Sequence, residues 1–451
     1  MPNRQLAKKI NPNWKSRTKR IVTSIVGMAA LAAGFPRIAT AGSASPSSFV
    51  KVSGDFRLYD FTKDYSAPSK PDQRSSAAGG VVDLATKPFW GGFGLGLGLY
   101  GSWALESSPA GDKAHETTLT GAGPSIRTIG QAFVQYARDG ALFRVGRQLV
   151  ETPWIGARDS RMVPQSFEGV WGQVSPARGW TLMALRLTRF KSRTSDGFYQ
   201  DNLYYPGTYG GDQMFGTKKV FPKNARLPGA NGTVGGGVRY ASKAAYADLW
   251  YYNFYDFART AYFDGGYTFG GPRQTWRPYV DGQFMKQSGG DYLARYGAKL
   301  FGVGGAVDST LWGVRAGLKA KGNNLSLSYD KLEDHAGSFG GGALVSPYGN
   351  DSAMFAAVMA NDLFRYGPGE VVELADVRTL LHNRIKLKVT VLRFRTTFGG
   401  NPTVLYVDPT YLFGGALKGL SLRDRLAWSN RASSSDGRAL VYNRVMLQYK
   451  F

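Results

Sequence analysis

Residues 441–451 alternate. Val441, Asn443, Val445, Leu447, Tyr449 and Phe451 share one parity, and Tyr442, Arg444, Met446, Gln448 and Lys450 the other. Successive side chains of a strand point to opposite faces, so one face is mostly apolar and ends in aromatics while the other is polar and basic. Such a strand suits lipid on one side and water on the other. The pattern recurs. In 50–59, Val50, Val52, Phe56 and Leu58 oppose Lys51, Ser53, Asp55, Arg57 and Tyr59. In 93–105, Phe93, Leu95, Leu97, Leu99, Trp103 and Leu105 oppose mainly glycine, where neighbouring backbone or an inward loop can come close. Segments 311–320, 324–331 and 384–391 alternate as clearly. Strands are also predicted at 79–86, 128–138, 141–149, 167–175, 179–191, 235–254, 259–270, 274–286, 295–303, 403–413 and 418–429.

Together these give about 18 strands of ~10 residues with turns between them, which is what an all-β, transmembrane antiparallel β-barrel requires. Stretches 62–78, 106–127, 150–166, 194–234 and 332–369 are rich in Gly, Ser, Pro, Asp and Tyr and read as its loops. A large barrel has a hydrated lumen and needs no extensive apolar core, which reconciles a membrane protein with a mean hydropathy of -0.26. The alternative use of this length, two or three soluble domains, finds no support in a composition shift along the chain.

The N-terminus points to export. Arg4, Lys8, Lys9, Lys15, Arg17, Lys19 and Arg20 precede a short apolar run from Ile21 to Phe35, and Ala39-Thr40-Ala41 follows. A basic segment, a short apolar core and an A-x-A site predict a secretory signal peptide over 1–41, leaving 42–451 as a single barrel domain. The whole chain holds 56 Lys+Arg and 32 Asp+Glu. Eight of the basic residues and no acid lie in 1–41, so the remainder is 48 basic against 32 acidic, a net +16. Such a surplus suits an anionic solute or surface. No zinc-finger, helix-turn-helix or RNP pattern points to nucleic acid, and the cations sit inside alternating strands rather than in a tail. With no cysteine, disulfides and thiolate metal sites are excluded. His115, His335 and His382 are dispersed, so no histidine metal site and no cofactor is expected. Asp334-His335 is a lone acid–imidazole pair with no G-x-S-x-G serine near it, a weak signal for hydrolysis.

One stretch is specific. Asp159-Ser160-Arg161-Met162-Val163-Pro164-Gln165-Ser166-Phe167-Glu168-Gly169 follows Val145-Gly146-Arg147-Gln148, and Leu420-Ser421-Leu422-Arg423-Asp424-Arg425-Leu426-Ala427-Trp428 lies near the C-terminus. Both resemble the OprD-type (Occ) substrate-specific outer-membrane porin family, whose constriction carries D-S-R-x-x-P-Q-x-F-x-G. Arg259 with Tyr262-Phe263, and Arg393-Phe394 before Gly399-Gly400, are weaker echoes. The resemblance implies a monomeric 18-stranded barrel in the bacterial outer membrane with loops folded inward. It also implies a ladder of basic side chains that guides small carboxylate-bearing solutes through a narrow eyelet. Asp159, Ser160, Arg161, Pro164 and Phe167 would belong to the constriction loop. The spacing in 332–369 departs from the family. Other expected partners are outer-membrane lipid, lipopolysaccharide and the barrel assembly machinery, the last through the aromatic-ended final strand.

The residues bear on the ladder independently. Arg423 and Arg425 share a face with Ser421, and if Leu420 and Leu422 face lipid both guanidiniums face the lumen. Arg384, Lys386 and Lys388 make a second series; Arg144, Arg186, Arg315 and Arg444 add others. Arg393 and Arg395 are in phase with Val389 and Val391, so for them to reach the lumen either a β-bulge resets the register, the favoured reading, or the lumen accepts those valines. The competing reading is that these cations balance lumenal carboxylates or bind lipopolysaccharide phosphates at the rim. Loop arginines such as Arg193 and Arg273 are expected to matter little. Trp250, Tyr251, Tyr252, Trp312 and Tyr449 are expected in interfacial girdles, or in part along an apolar path. A weakly selective trimeric porin, an outer-membrane lipid hydrolase and a surface adhesin are the rival functions.

Overall fold

The computed structural model describes residues 49–106, 113–204, 232–271, 274–290, 292–294, 305–349, 353–359, 361–432 and 438–451. The expected signal peptide and the predicted strand 295–303 lie outside the described residues. Within them the chain forms eighteen strands. The first nine are β1 (Val50–Tyr65), β2 (Gln73–Thr86), β3 (Phe93–Ala104), β4 (Ser125–Arg138), β5 (Ala141–Gln148), β6 (Ser166–Val174), β7 (Trp180–Lys191), β8 (Thr233–Ala241) and β9 (Ala245–Phe254). They continue as β10 (Ala258–Thr268), β11 (Arg277–Gly289), β12 (Val307–Ala320), β13 (Asn323–Leu332), β14 (Gly369–Leu380), β15 (Ile385–Thr396), β16 (Thr403–Leu412), β17 (Leu420–Ala432) and β18 (Arg438–Lys450). Each strand pairs antiparallel with its sequence neighbours, and β1 pairs with β18, so the sheet closes into a barrel. Closure leaves no free edge, which is why such a sheet can cross hydrocarbon.

The two ends differ. One carries tight connections such as 139–140 and 321–322; the other carries 149–165 and 333–368. The outer face repeats Leu, Val and Phe, with Leu95, Val145, Leu249, Val314, Leu327 and Leu374 exposed. The inner face is covered because the long loops fold into the barrel. Trp154, Ile155, Met162 and Val163 of one loop and Leu344, Val345, Tyr348 and Phe364 of another join wall residues such as Phe167, Tyr252 and Phe394 in a single buried cluster. The loop whose spacing departs from the family therefore enters the lumen as deeply as the motif-bearing one.

Three expectations need correction. Strand β14 is not flagged by alternation, because it carries Val371 and Ala375 inward against the buried loop and Asp376 outward beside Arg378. The loop expected at 62–78 is shorter: β1 runs to Tyr65 and β2 starts at Gln73. The β3 glycines admit neighbouring side chains rather than a loop. A Cβ on Gly96 would lie 2.2 Å from the Phe133 ring, and one on Gly98 2.6 Å from the Asp83 carboxylate.

Candidate functional site

The inner faces of β15–β18 carry a concentrated charge. Exposed Val391, Leu405 and Trp428 fix the outward parity of β15, β16 and β17. The opposite parity turns Lys386, Lys388, Tyr406, Asp408, Arg423 and Arg425 inward. Arg423 grips Asp408 with both arms of its fork, Nε at 2.7 Å and Nη2 at 2.6 Å. Arg425 donates from Nε to the Tyr406 hydroxyl at 2.9 Å and stays 3.8 Å from Asp408. Arg444 stands directly opposite Arg425 in the ladder. It is 5 % exposed, lies against the Phe61 and Tyr442 rings, and donates to the Tyr442 hydroxyl. Lys388 stands opposite Asp408 and Lys386 opposite Thr410. On these four strands Lys386, Lys388, Arg423, Arg425 and Arg444 face inward around the carboxylate of Asp408. Like charges directly opposite one another destabilise a sheet, so the cluster is not there to hold the fold.

The motif-bearing loop closes on this wall through β1. Arg57 reaches across 102 residues to both oxygens of Asp159, at 2.6 and 2.7 Å, and also bonds Asp55 at 2.7 Å. The Arg161 carbonyl accepts from the same guanidinium. Tyr59 donates to the Ser160 carbonyl at 3.1 Å, and Arg193 to the Ser160 hydroxyl at 3.2 Å. Phe167 packs on Phe190 and Tyr348, with ring centroids 5.4 and 5.2 Å away. Lys191, buried, lies 3.5 Å from the Pro164 carbonyl. The second loop meets the first at Tyr348, whose carbonyl accepts from Arg158 at 3.4 Å and Gln165 at 3.2 Å. Loop segments from opposite halves of the sequence thus meet inside the barrel. Asp159 remains 46 % exposed at its side chain and faces the remaining space.

Two loop carboxyls show how the lumen acts on charge. Burial opposes ionisation of Glu116, but Lys63 and the Thr118 hydroxyl outweigh it and hold its pKa below the usual glutamate range. Burial raises Glu151, only partly offset by the Ala157 amide that it accepts at 2.9 Å.

Another sector of the wall is acidic. Asp248, Asp264 and Asp281 point inward on β9–β11, with Arg239 bound to Asp248 at 2.7 Å and Arg315 to Asp281 at 2.7 Å. Asp248 and Asp264, with Glu151, Tyr246, Tyr262 and Phe355, line a cavity of about 340 Å³. The Arg315 guanidinium lies 4.4 Å from the Phe355 ring centre.

The expected ladder divides. Lys386, Lys388, Arg423, Arg425 and Arg444 share one wall. Arg144 is inward but near the tight-turn end, over Phe133 at 4.7 Å and bonded to Gln135 at 3.2 Å. Arg315 belongs to the acidic sector. Arg384 sits exposed in the turn before β15. Arg186, Arg393 and Arg395 face outward: Arg186 pairs with the exposed Val170 and Val234, and Arg393 with the exposed Val372. The bulge expected near 389–395 does not exist; the β14–β15 register runs unbroken from Gly369↔Thr396 to Leu380↔Ile385. Inward Thr390, Leu392 and Phe394 are buried by the loop instead, so apolar side chains occupy both faces of β15 there. Arg193 is a further correction: it is 4 % exposed at the constriction, not a peripheral loop residue. Trp250 and Tyr252 turn inward and stack at 5.3 Å, whereas Tyr251, Trp312 and Tyr449 face outward. Sequence reading missed Arg57, Lys63 and Lys191. Arg57 and Lys63 share the polar parity of β1, which was their only signal.

Comparison with known proteins agrees with this geometry. The family model described as outer membrane porin, OprD family, matches residues 50–370, well over half of the chain. Among curated proteins no sequence matches it. Acinetobacter baumannii OccAB3 is similar in structure, with a TM-score of 0.70 and 16% identity over 89% of this chain and 99% of that one. Pseudomonas aeruginosa OccK9 (OpdG) aligns with a TM-score of 0.70 and 18% identity, covering 89% and 98%. Pseudomonas aeruginosa OpdK, solved with vanillate, aligns with a TM-score of 0.68 and 17% identity, covering 89% and 98%. The closed barrel, the inward loops and the family match together place the chain in the OprD family of outer membrane porins, as a bacterial outer-membrane channel for substrate-specific diffusion.

Proposed function

We propose that the channel is selective for small solutes bearing a carboxylate, admitted past Lys386, Lys388, Arg423 and Arg425 and the constriction around Asp159, Ser160 and Arg161. The observation that carries this reading is the excess of inward cations on β15–β18, Lys386, Lys388, Arg423, Arg425 and Arg444 around Asp408, with Arg425 opposed to Arg444. A carboxylate loses hydration on entering a narrow lumen, and guanidinium N–H pairs replace it. Arg423 is the exchangeable rung: its fork is occupied by Asp408, and a solute carboxylate competes for the same donors. Arg444, stacked between rings, contributes field rather than contact. Several weak sites suit conduction better than one tight site, because a solute must also leave. The vanillate held by OpdK, itself an aromatic carboxylate, is consistent with this class.

The acidic cavity favours a second reading, in which the solute is a zwitterion such as an amino acid. Its carboxylate would follow the basic wall and its ammonium group would face Asp248 and Asp264. Planar-bilayer recording under a KCl gradient, with benzoate and a neutral amino acid added in turn, separates these. Anion preference with benzoate block supports the first reading; block by the amino acid alone supports the second. Cation preference with no block by either would overturn both.

A further inference from the structure

Two of the outward arginines, Arg393 and Arg395, fall into one patch with Lys331. Trp312, Lys331, Glu370 and Arg395 are paired in direct register across β12–β15 at the long-loop end. One row toward the membrane centre, Tyr329, Val372 and Arg393 are likewise in register. All lie on the lipid-facing parity. The Trp312 and Tyr329 rings pack at 5.3 Å, and each turns its polar tip to a carboxylate: Trp312 Nε1 to Glu333 at 2.8 Å, the Tyr329 hydroxyl to Glu370 at 2.8 Å. Amphipathic rings of this kind sit at the boundary between hydrocarbon and headgroups. Below them Leu327 is 56 % and Leu374 51 % exposed, an apolar surface.

Arg393 therefore stands at the edge of hydrocarbon, and neither it nor Lys331 has a carboxylate partner among the described residues. Arg395, 69 % exposed at its side chain, only approaches Glu370 at 3.4 Å. Three cations stand beside two carboxylates, Glu370 and Glu333, each already accepting from an aromatic tip. A cation at this depth is costly unless an anion meets it, and headgroup phosphates are the anions found there. The guanidinium fork matches phosphate in geometry as well as charge. Alternate residues of a strand are ~7 Å apart and Lys331 lies two strands, ~10 Å, from Arg395, a spread wider than one phosphate group.

We propose that the outer face of β13–β15 is a binding site for a lipid carrying more than one phosphate, held by Arg393, Arg395 and Lys331. Because long loops of such barrels face the cell exterior, that lipid is the phosphorylated glycolipid of the outer leaflet, lipopolysaccharide.

The test is native mass spectrometry of the purified barrel titrated with diphosphoryl lipid A, with its dephosphorylated form, and with inorganic phosphate. The parent should bind diphosphoryl lipid A, and the K331A/R393A/R395A variant should bind it about tenfold more weakly or worse, as expected for loss of charge-assisted bonds. The dephosphorylated lipid should bind parent and variant alike. R393Q alone should lose roughly threefold, and it decides the matter if the triple variant does not fold. Single-channel conductance, read on the same preparations, should not change. Equal binding of diphosphoryl lipid A by parent and variants would overturn the proposal. So would equally tight binding of the dephosphorylated form, or competition by inorganic phosphate at micromolar concentration.

Discussion

Arg425 and Arg444 face each other across β17 and β18 with no carboxylate between them, while two residues along β17 Arg423 is chelated by Asp408 of β16. The three arginines should therefore respond differently to mutation. At an effective dielectric of about 20, a charge 4–8 Å from a solute carboxylate is worth ~2–4 kcal/mol before desolvation is subtracted. Replacing Arg423 and Arg425 together by Ala should reduce anion preference and slow uptake of small organic acids roughly tenfold, without unfolding the barrel. Arg393→Ala, on the opposite side of the same wall, is the control and should leave the reversal potential unchanged. A shift produced by the control but not by the double variant would remove the basic wall as the selectivity element. Asp408→Asn is informative in the other direction. It frees the Arg423 fork, so it should tighten carboxylate binding and lengthen current blocks.

At the scale of elements, the loop carrying Asp159 is latched to β1 by Arg57, with Tyr59 beside it. Arg57 holds Asp159 and the Arg161 carbonyl at once. Asp159→Ala should loosen the loop while Arg57 keeps Asp55, so conductance and current noise should rise and the barrel persist. A silent Asp159→Ala channel would mean that the Ser160 contacts to Tyr59 and Arg193 suffice. A second latch is sensitive to pH. The Glu116 pKa is depressed by Lys63 and Thr118 despite burial, so the contact is intact above the ordinary glutamate range and is lost as pH falls through the lowered value. Acid-induced noise should therefore begin only below the ordinary glutamate range, and Glu116→Gln should show it at neutral pH. The C-terminal strand is fastened in another way: Phe451 exchanges both backbone hydrogen bonds with Gly54 at 3.1 Å, and its ring stacks on Phe56 at 5.4 Å. Phe451→Ser keeps the bonds and removes the stack, so folded protein in the outer membrane should fall without a change in conductance of the channels that do insert.

For the whole molecule the decisive feature is closure. β1 pairs with both β2 and β18, and every ladder is antiparallel. A sheet without an edge exposes no unpaired backbone to detergent, so the unheated protein should migrate faster on a denaturing gel than the boiled one. A single band regardless of heating would contradict the barrel. The lumen is also divided by charge: a basic wall on β15–β18, an acidic sector on β9–β11, and two inward loops meeting at Tyr348. On the proposed function, that division would orient a polar solute as well as guide it.

Strand alternation is local, because side chains two apart must share a face. For that reason the amphipathic strands, the approximate strand number and the inward parity of Arg423, Arg425, Lys386 and Lys388 were legible in the sequence. So was the family motif at 159–169. Alternation fails wherever an inward loop supplies an apolar environment on the lumen side. Val371, Leu392 and Phe394 are buried there, so β14 went unrecognised and Arg393 and Arg395 looked displaced when they simply face outward. The pairing of Arg57 with Asp159, the burial of Arg193 at Ser160 and the junction of the two loops at Tyr348 join residues up to 190 positions apart. No periodicity encodes such distances. They are fixed only when the closed barrel brings its first strand, its two inward loops and its last strands around one lumen.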